Sequence, residues 1–246
     1  MEKTVAALRG LLGTVAAICL GSAALPAHAA LYDANADWSD VSNPNGVWSY
    51  REGSNLLPHV ADWTPLGASP AQPAWAPGTA AGDFLPAIFK ATSAHEDWLV
   101  GDLVIHTTDD ANGAGNGVGN LLFTAPSSGT ASINGLLWNA REISDRPQAY
   151  TLFLNGLPVN TGPLVGVTRS APVTFSDTLL LNAGDLLELV MYRTGLSEPG
   201  TGDFVGFNLS VDFATAVPEP ETYAMLVAGL WMLGLVARRR RALANL

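Results

Sequence analysis

The sequence predicts an all-β chain: an antiparallel β-sandwich, jelly-roll-like, flanked by an N-terminal signal-peptide helix and a C-terminal transmembrane helix. Three observations predict it. Short β-branched and aromatic runs recur between Gly, Asn and Pro turns across the middle of the chain. The run Phe204 to Phe213 places apolar residues at 205, 207, 209, 211 and 213, a period of two. The two ends are continuous apolar stretches unlike the middle. The boundaries that follow are a signal segment at 1–29, a sandwich at 30–214 and a tail at 215–246.

The N-terminus has Lys3 and Arg9, then the apolar run Leu11 to Leu20, then Pro26 and Ala27-His28-Ala29. A basic region, a short apolar region and an A-x-A site define a secretory signal peptide, with cleavage expected after Ala29. The run is short for a spanning helix of about 20 residues. Ile18 before Cys19 does not suit a lipidation site.

Next comes a loop-rich stretch to about Pro86, where Pro58, Pro65, Pro70, Pro73, Pro77 and Pro86 exclude long helices. Trp48 and Tyr50 share one face of a short strand there. Strand signals then follow: Leu103 to Thr107, Leu121 to Thr124, and Thr130 to Glu142, the last interrupted by Asn134-Gly135. Tyr150 to Leu154 runs into Asn155-Gly156, a hairpin signal, and Leu157-Pro158-Val159 returns. Val173 to Ser176, Thr178 to Leu181, Leu186 to Tyr192 and Phe204 to Phe213 complete the set. The segments Asp40 to Tyr50, Phe123 to Thr130 and Leu181 to Asp185 resemble landmarks of a β-sandwich family frequent in secreted bacterial proteins. That resemblance implies fold and not activity.

Composition narrows the partners. The chain carries 22 acids against 12 bases. Six of those bases lie in the ends, so the central segment is more acidic still. Such a surface repels phosphate backbones, which excludes nucleic acid. The only cysteine, Cys19, lies in the signal segment. The mature domain therefore has no disulfide, thiolate metal site or cysteine nucleophile.

The C-terminus reads Val217-Pro218-Glu219-Pro220-Glu221-Thr222, an uncharged apolar stretch from Tyr223 to Ala237, and then Arg238, Arg239, Arg240 and Arg241. The prolines expose an extended recognition segment. The arginines mark the cytoplasmic end by the positive-inside rule. The apolar stretch is short for a span, and Thr222 and the arginine stems would extend it. This tripartite tail resembles the PEP-CTERM sorting signal, with Glu221 a minor departure from the Ser or Ala often found there. The resemblance implies processing by signal peptidase and then by a membrane-embedded exosortase. It also implies an inner-membrane precursor and delivery to the cell surface or extracellular matrix of a Gram-negative host. A permanent anchor would use the same hydrophobicity.

No catalytic residues emerge. His59, His95 and His106 are scattered, and neither H-E-x-x-H nor G-x-S-x-G occurs. Glu142, Asp145 and Glu188 could pair in space, as in any acidic chain. No cofactor is expected. Asp109, Asp110 and Asn112 on a Gly-rich loop have the side-chain oxygens that Ca²⁺ takes, without EF-hand spacing. The middle holds six tryptophans. They either pack the loop-rich part into the core or offer polysaccharide a flat platform, with Trp48 and Tyr50 the first pair to consider. The expected role is a non-enzymatic structural or adhesive protein of exopolysaccharide or biofilm. The alternatives are a carbohydrate-binding module and, third, an extracellular glycan hydrolase.

Overall fold

The computed structural model describes residues 29–65, 69–83, 85–107, 118–141, 146–194, 202–215 and 220–243. The expected signal segment up to residue 28, the calcium candidates Asp109, Asp110 and Asn112, and the motif residues Val217, Pro218 and Glu219 lie outside them. Residues Ala29–Thr215 form one compact unit.

Among the described residues fourteen strands build that unit: β1 (Ala29–Asp33), β2 (Trp48–Glu52), β3 (Asn55–Leu56), β4 (His59–Trp63), β5 (Gln72–Trp75), β6 (Ala87–Lys90), β7 (Leu103–His106), β8 (Gly119–Thr124), β9 (Gly129–Asn139), β10 (Gln148–Leu154), β11 (Leu157–Leu164), β12 (Val173–Leu181), β13 (Leu186–Arg193) and β14 (Phe204–Thr215). One sheet has the order β12-β9-β14-β7-β6-β5-β4, and β1 also pairs with β14. The other has the order β11-β10-β13-β8-β2-β3. The strands β7 to β14 distribute between the sheets in jelly-roll order: β12-β9-β14-β7 faces β11-β10-β13-β8. The chain is thus an all-β antiparallel sandwich, with β4–β6 and β2–β3 added at its sides.

Local chemistry explains the long strands. In β14 the alternating residues Val205, Phe207, Leu209, Val211 and Phe213 are all buried in the shared core, as their period of two requires. β14 is long enough to take two partners on one side: β7 pairs with its first residues and β1 with its last. The hairpin between β10 and β11 turns at Asn155 and Gly156, whose φ angles of 51° and 78° are those of a tight two-residue turn. Asn134-Gly135 does not interrupt its strand, contrary to expectation. β9 runs unbroken through both, because the Phe175 ring of β12 lies directly over Gly135. A side chain at 135 would occupy the ring's place. Phe175 in turn stacks on Tyr150 of the opposite sheet, with centroids 5.3 Å apart.

The main core lies between the sheets, with Trp48, Tyr50, Leu121, Phe123, Leu152 and Met191 from one side and Leu103, Ile105, Ile133, Phe207 and Phe213 from the other. A second buried cluster sits on the outer face of the larger sheet, formed by Trp63, Phe89, Trp98, Val104, Trp138, Phe204 and several alanines. β4 is separated from β14 by three intervening strands. Yet the Trp63 ring of β4 lies 6.5 Å from the Phe204 ring of β14. The extension β6-β5-β4 therefore curls back over the sheet's own outer face.

A helix, α1, runs from Pro220 to Leu243. Proline at its first position is tolerated because that N–H has no partner within the helix. Among the described residues no helix is long and apolar enough to cross a membrane, which corrects the expected transmembrane helix. The reason is length: the uncharged stretch Tyr223 to Ala237, at about 1.5 Å per residue, covers about 22 Å of a hydrocarbon core about 30 Å thick. Arg238 to Arg241 fall in the last turns of α1.

Candidate functional site

The outer face of the larger sheet divides in two. Where β6-β5-β4 curls over it, the face is apolar and covered. Beyond that cover it is open, and the strand registers set its side chains in rows. One row is Thr174, Leu136 and Asn208, on β12, β9 and β14. The next is Ser176, Asn134, Ser210 and Asp33, now including β1. A third is Thr178, Ser132, Asp212 and Leu31. These residues alternate with the inward core residues, so every one points away from the core. Asn134, Thr174, Ser176, Thr178 and Asp212 are exposed, and Ser132, Asn208, Ser210 and Asp33 are half-buried.

The first row, with Ser176, Asn134 and Ser210 of the second, lines a shallow hollow of about 430 Å³. Its polar groups are carboxamides and hydroxyls, which both donate and accept hydrogen bonds. The Asn208 Nδ2 donates to Asp33 Oδ2 at 3.1 Å, while Asp33 Oδ1 accepts the backbone N–H groups of Asn35 and Ala36. Asp33 is thus held by three donors and braces that end of the row.

Trp138 and Arg169 form the boundary between the two halves. The Trp138 ring covers Gly206 on β14, where no side chain would fit. Its Nε1 donates to the Asp97 carbonyl at 2.8 Å. The Arg169 guanidinium lies 5.9 Å from the Trp138 ring centroid and grips Asp102 with two hydrogen bonds, of 2.7 and 3.0 Å. The Arg169 backbone N–H donates to Asp97 Oδ2 at 2.7 Å.

The aromatic pair expected to meet a ligand is not on a surface. Trp48 is 1% exposed and Tyr50 is fully buried. Trp48 packs edge-on against Phe123, and its Nε1 donates to Asp37. Burial pushes the Tyr50 hydroxyl well above its ordinary pKa. Both face the sandwich interior because β2 pairs with β8 inside the smaller sheet. Trp63, Trp75, Trp98 and Trp138 are buried as well, and Trp38 partly so. The indoles build cores here.

A second concavity, of about 340 Å³, lies at the pole of the sandwich where β14 begins. Its lining includes His106, Arg141, Arg146, Gly202, Phe204 and Ala81. His106 is 3% exposed, and its Nδ1 is 2.8 Å from the Leu85 carbonyl. A carbonyl only accepts, so Nδ1 carries a proton. Burial lowers the imidazole pKa to about 4, with Arg141 and Arg146 contributing, so the ring is neutral at pH 7 and Nε2 is an acceptor. The neighbouring Asp203 is pushed up to about 6 by burial, against the pull of the Phe204 N–H and the two arginines. Thr107 ties this region together, its hydroxyl donating to Gln148 Oε1 at 2.7 Å while its backbone N–H donates to the Asp203 carbonyl at 2.7 Å.

Neither surface was among the residues singled out from sequence. The residues between the inward positions of β14 would have pointed to Asn208, Ser210 and Asp212. No local signal marks Arg141 or His106. Among the described residues no group of three or more His, Cys, Asp or Glu is placed to hold a metal ion.

No family model matches the chain, and no curated protein matches it. A solved family 35 carbohydrate binding module from Clostridium thermocellum is similar at 14% identity, covering 51% of this chain and 96% of that one, with a TM-score of 0.32. The C-terminal CBM6 of LamC from Zobellia galactanivorans is similar at 12% identity, covering 45% and 79%, with a TM-score of 0.28. The Cry4Aa toxin from Bacillus thuringiensis is similar at 10% identity, covering 58% and 22%, with a TM-score of 0.34. Likenesses this faint carry no argument about what the chain does.

Proposed function

We propose that this chain is an exported, non-catalytic surface or matrix protein whose jelly roll binds a neutral polysaccharide across the open half of its outer face. The row Ser176–Asn134–Ser210–Asp33 is the observation that carries the reading. Neighbouring strands stand about 4.8 Å apart, close to the advance of an extended glycan per sugar ring, so a chain laid across the strands meets one polar side chain per sugar. Amides and hydroxyls match sugar hydroxyls as donors and acceptors. Asp33, paired with Ser210, and Asp212 in the next row disfavour an anionic polymer on this face. The test is retention of the purified chain on immobilised neutral glucans, mannans and xylans. Asn134→Ala with Ser176→Ala should weaken binding to the retained glycan about tenfold, the loss expected from removing one or two net hydrogen bonds. Retention unchanged by that pair of substitutions sinks the reading.

The ordered tail supports the routing half of the reading. Pro-Glu-Pro, the apolar stretch and the arginines follow one another directly after the sandwich. Intact-mass measurement on protein from the native host should find a chain that starts at Ala30 and lacks Trp231. A mature chain that retains Trp231 counts against exosortase removal of the tail.

A further inference from the structure

We propose that the cavity beside His106, mostly apolar with two arginines in its lining, is a second ligand site, one that takes a sugar carboxylate: a uronic acid residue. It lies apart from the open face and rests on different residues, so it goes beyond the function proposed above. Six lysines and arginines occur between residues 30 and 214, and two of them, Arg141 and Arg146, line this single cavity. Arg146 Nη1 donates to the Gly202 carbonyl at 3.0 Å, which fixes that side chain along one wall. Arg141 makes no hydrogen bond or ion pair among the described residues, although its charge is felt by both His106 and Asp203. A guanidinium is the side chain best matched to a carboxylate, which it holds through two parallel hydrogen bonds.

The remaining lining says what else the ligand carries. The unprotonated Nε2 of His106 is a hydrogen-bond acceptor, and a ligand hydroxyl is a matching donor. Phe204, Ala80, Ala81 and Pro65 offer apolar area to the C–H face of a ring. The cavity, about 340 Å³, is within the size range of small-molecule sites. A carboxylate, hydroxyls and an apolar ring face on one small molecule describe a uronic acid. The acidity of the domain as a whole does not forbid it. Charges beyond roughly 8 Å are screened at physiological salt, whereas the two arginines act at contact.

The same chemistry is carried by a free uronate and by one residue of an acidic polysaccharide. Titration calorimetry on the purified full-length chain, with glucuronate, an oligo-galacturonate, inorganic phosphate and glucose as separate titrants, distinguishes them. Glucuronate or the oligomer should bind, and whichever binds more tightly identifies the source. Glucose, which lacks the carboxylate, should bind at least tenfold more weakly. Arg141→Ala should weaken the carboxylate at least tenfold, and Arg141→Lys should recover only part of that loss, since lysine restores the charge without the fork. Arg141 is partly exposed, so these variants test binding without removing core. Asn134→Ala should leave this binding unchanged, which separates failure here from failure of the glycan face. The proposal is overturned by no carboxylate binding at millimolar concentration, by equal binding to Arg141→Ala, or by phosphate binding as tightly as glucuronate.

Discussion

The two halves of one sheet face lie on the same strands and differ in almost everything else. Along β9 the outward residues change from Ser132, Asn134 and Leu136 to the buried Trp138; along β14 they change from Ser210 and Asn208 to Gly206 and the buried Phe204. Where the curled strands β4–β6 supply Trp63 and Phe89, the face is bulky and apolar. Where nothing covers it, the face is mostly small and polar, with Leu136 and Leu31 the large apolar residues in its rows. Backbone pairing is continuous across the boundary, so cover rather than strand geometry decides side-chain chemistry.

The sharpest way to break this comparison is truncation on each side. Phe204→Ala removes a ring that contacts Trp63, Phe89, Trp98 and His106, and it should cost about 3–5 kcal/mol. Asn134→Ala or Ser176→Ala, on the open half, should stay within about 0.5 kcal/mol. Urea unfolding measures both. Comparable losses on the two halves would show that the open face is also structural.

A smaller effect should appear at the pole, at the covered end of the same strands. His106 has its pKa lowered to about 4 in the fold, so its contribution to stability grows as pH rises from about 4 to about 6.5. Asp203 is raised to about 6, so its contribution has the opposite sign and falls as pH rises from about 4 to about 6. In the parent chain the two nearly cancel. Asp203→Asn should leave a stability that climbs between pH 4 and 6.5, relative to the parent, by about 2–3 kcal/mol. His106→Gln should leave one that declines over pH 4 to 6. Denaturant titrations at pH 4, 5, 6 and 7 read the slopes, and parallel profiles for all three chains would refute the assignment.

The smallest effect concerns the boundary itself. Arg169 is well exposed, so Arg169→Ala should cost no more than about 1 kcal/mol despite its paired bonds to Asp102. Part of that cost should vanish in 1 M salt. A larger, salt-independent loss would mean that Arg169 seals the covered half by packing on Trp138.

Much of the sandwich was legible before the structure. The two-residue alternation of β14 and the Asn155-Gly156 turn are local signals, and both mean in the fold what they mean in sequence. The continuity of β9 was not legible, because the ring that needs Gly135 arrives from Phe175, forty residues later. The curl of β4–β6 depends on Trp63 meeting Phe204, a contact across more than half the chain. The burial of Trp48 and Tyr50 follows from the pairing of β2 with β8, which no nearby residue announces. The polar rows are visible only once three separate registers are known.

The pairing of β1 and β14 has a mechanical consequence. Ala29 lies opposite Ala214, so the sandwich begins and ends at one point on its rim. Force that enters the domain at Thr215 is taken up first by β14. β14 is flanked by β9 over eleven consecutive pairs, Val205 to Thr215, and by β7 and β1 on its other side. A load directed along β14 meets the hydrogen bonds on both of its flanks in shear. Load along β14 is therefore spread over a strand that, with β9, is the most extensively paired of the described residues.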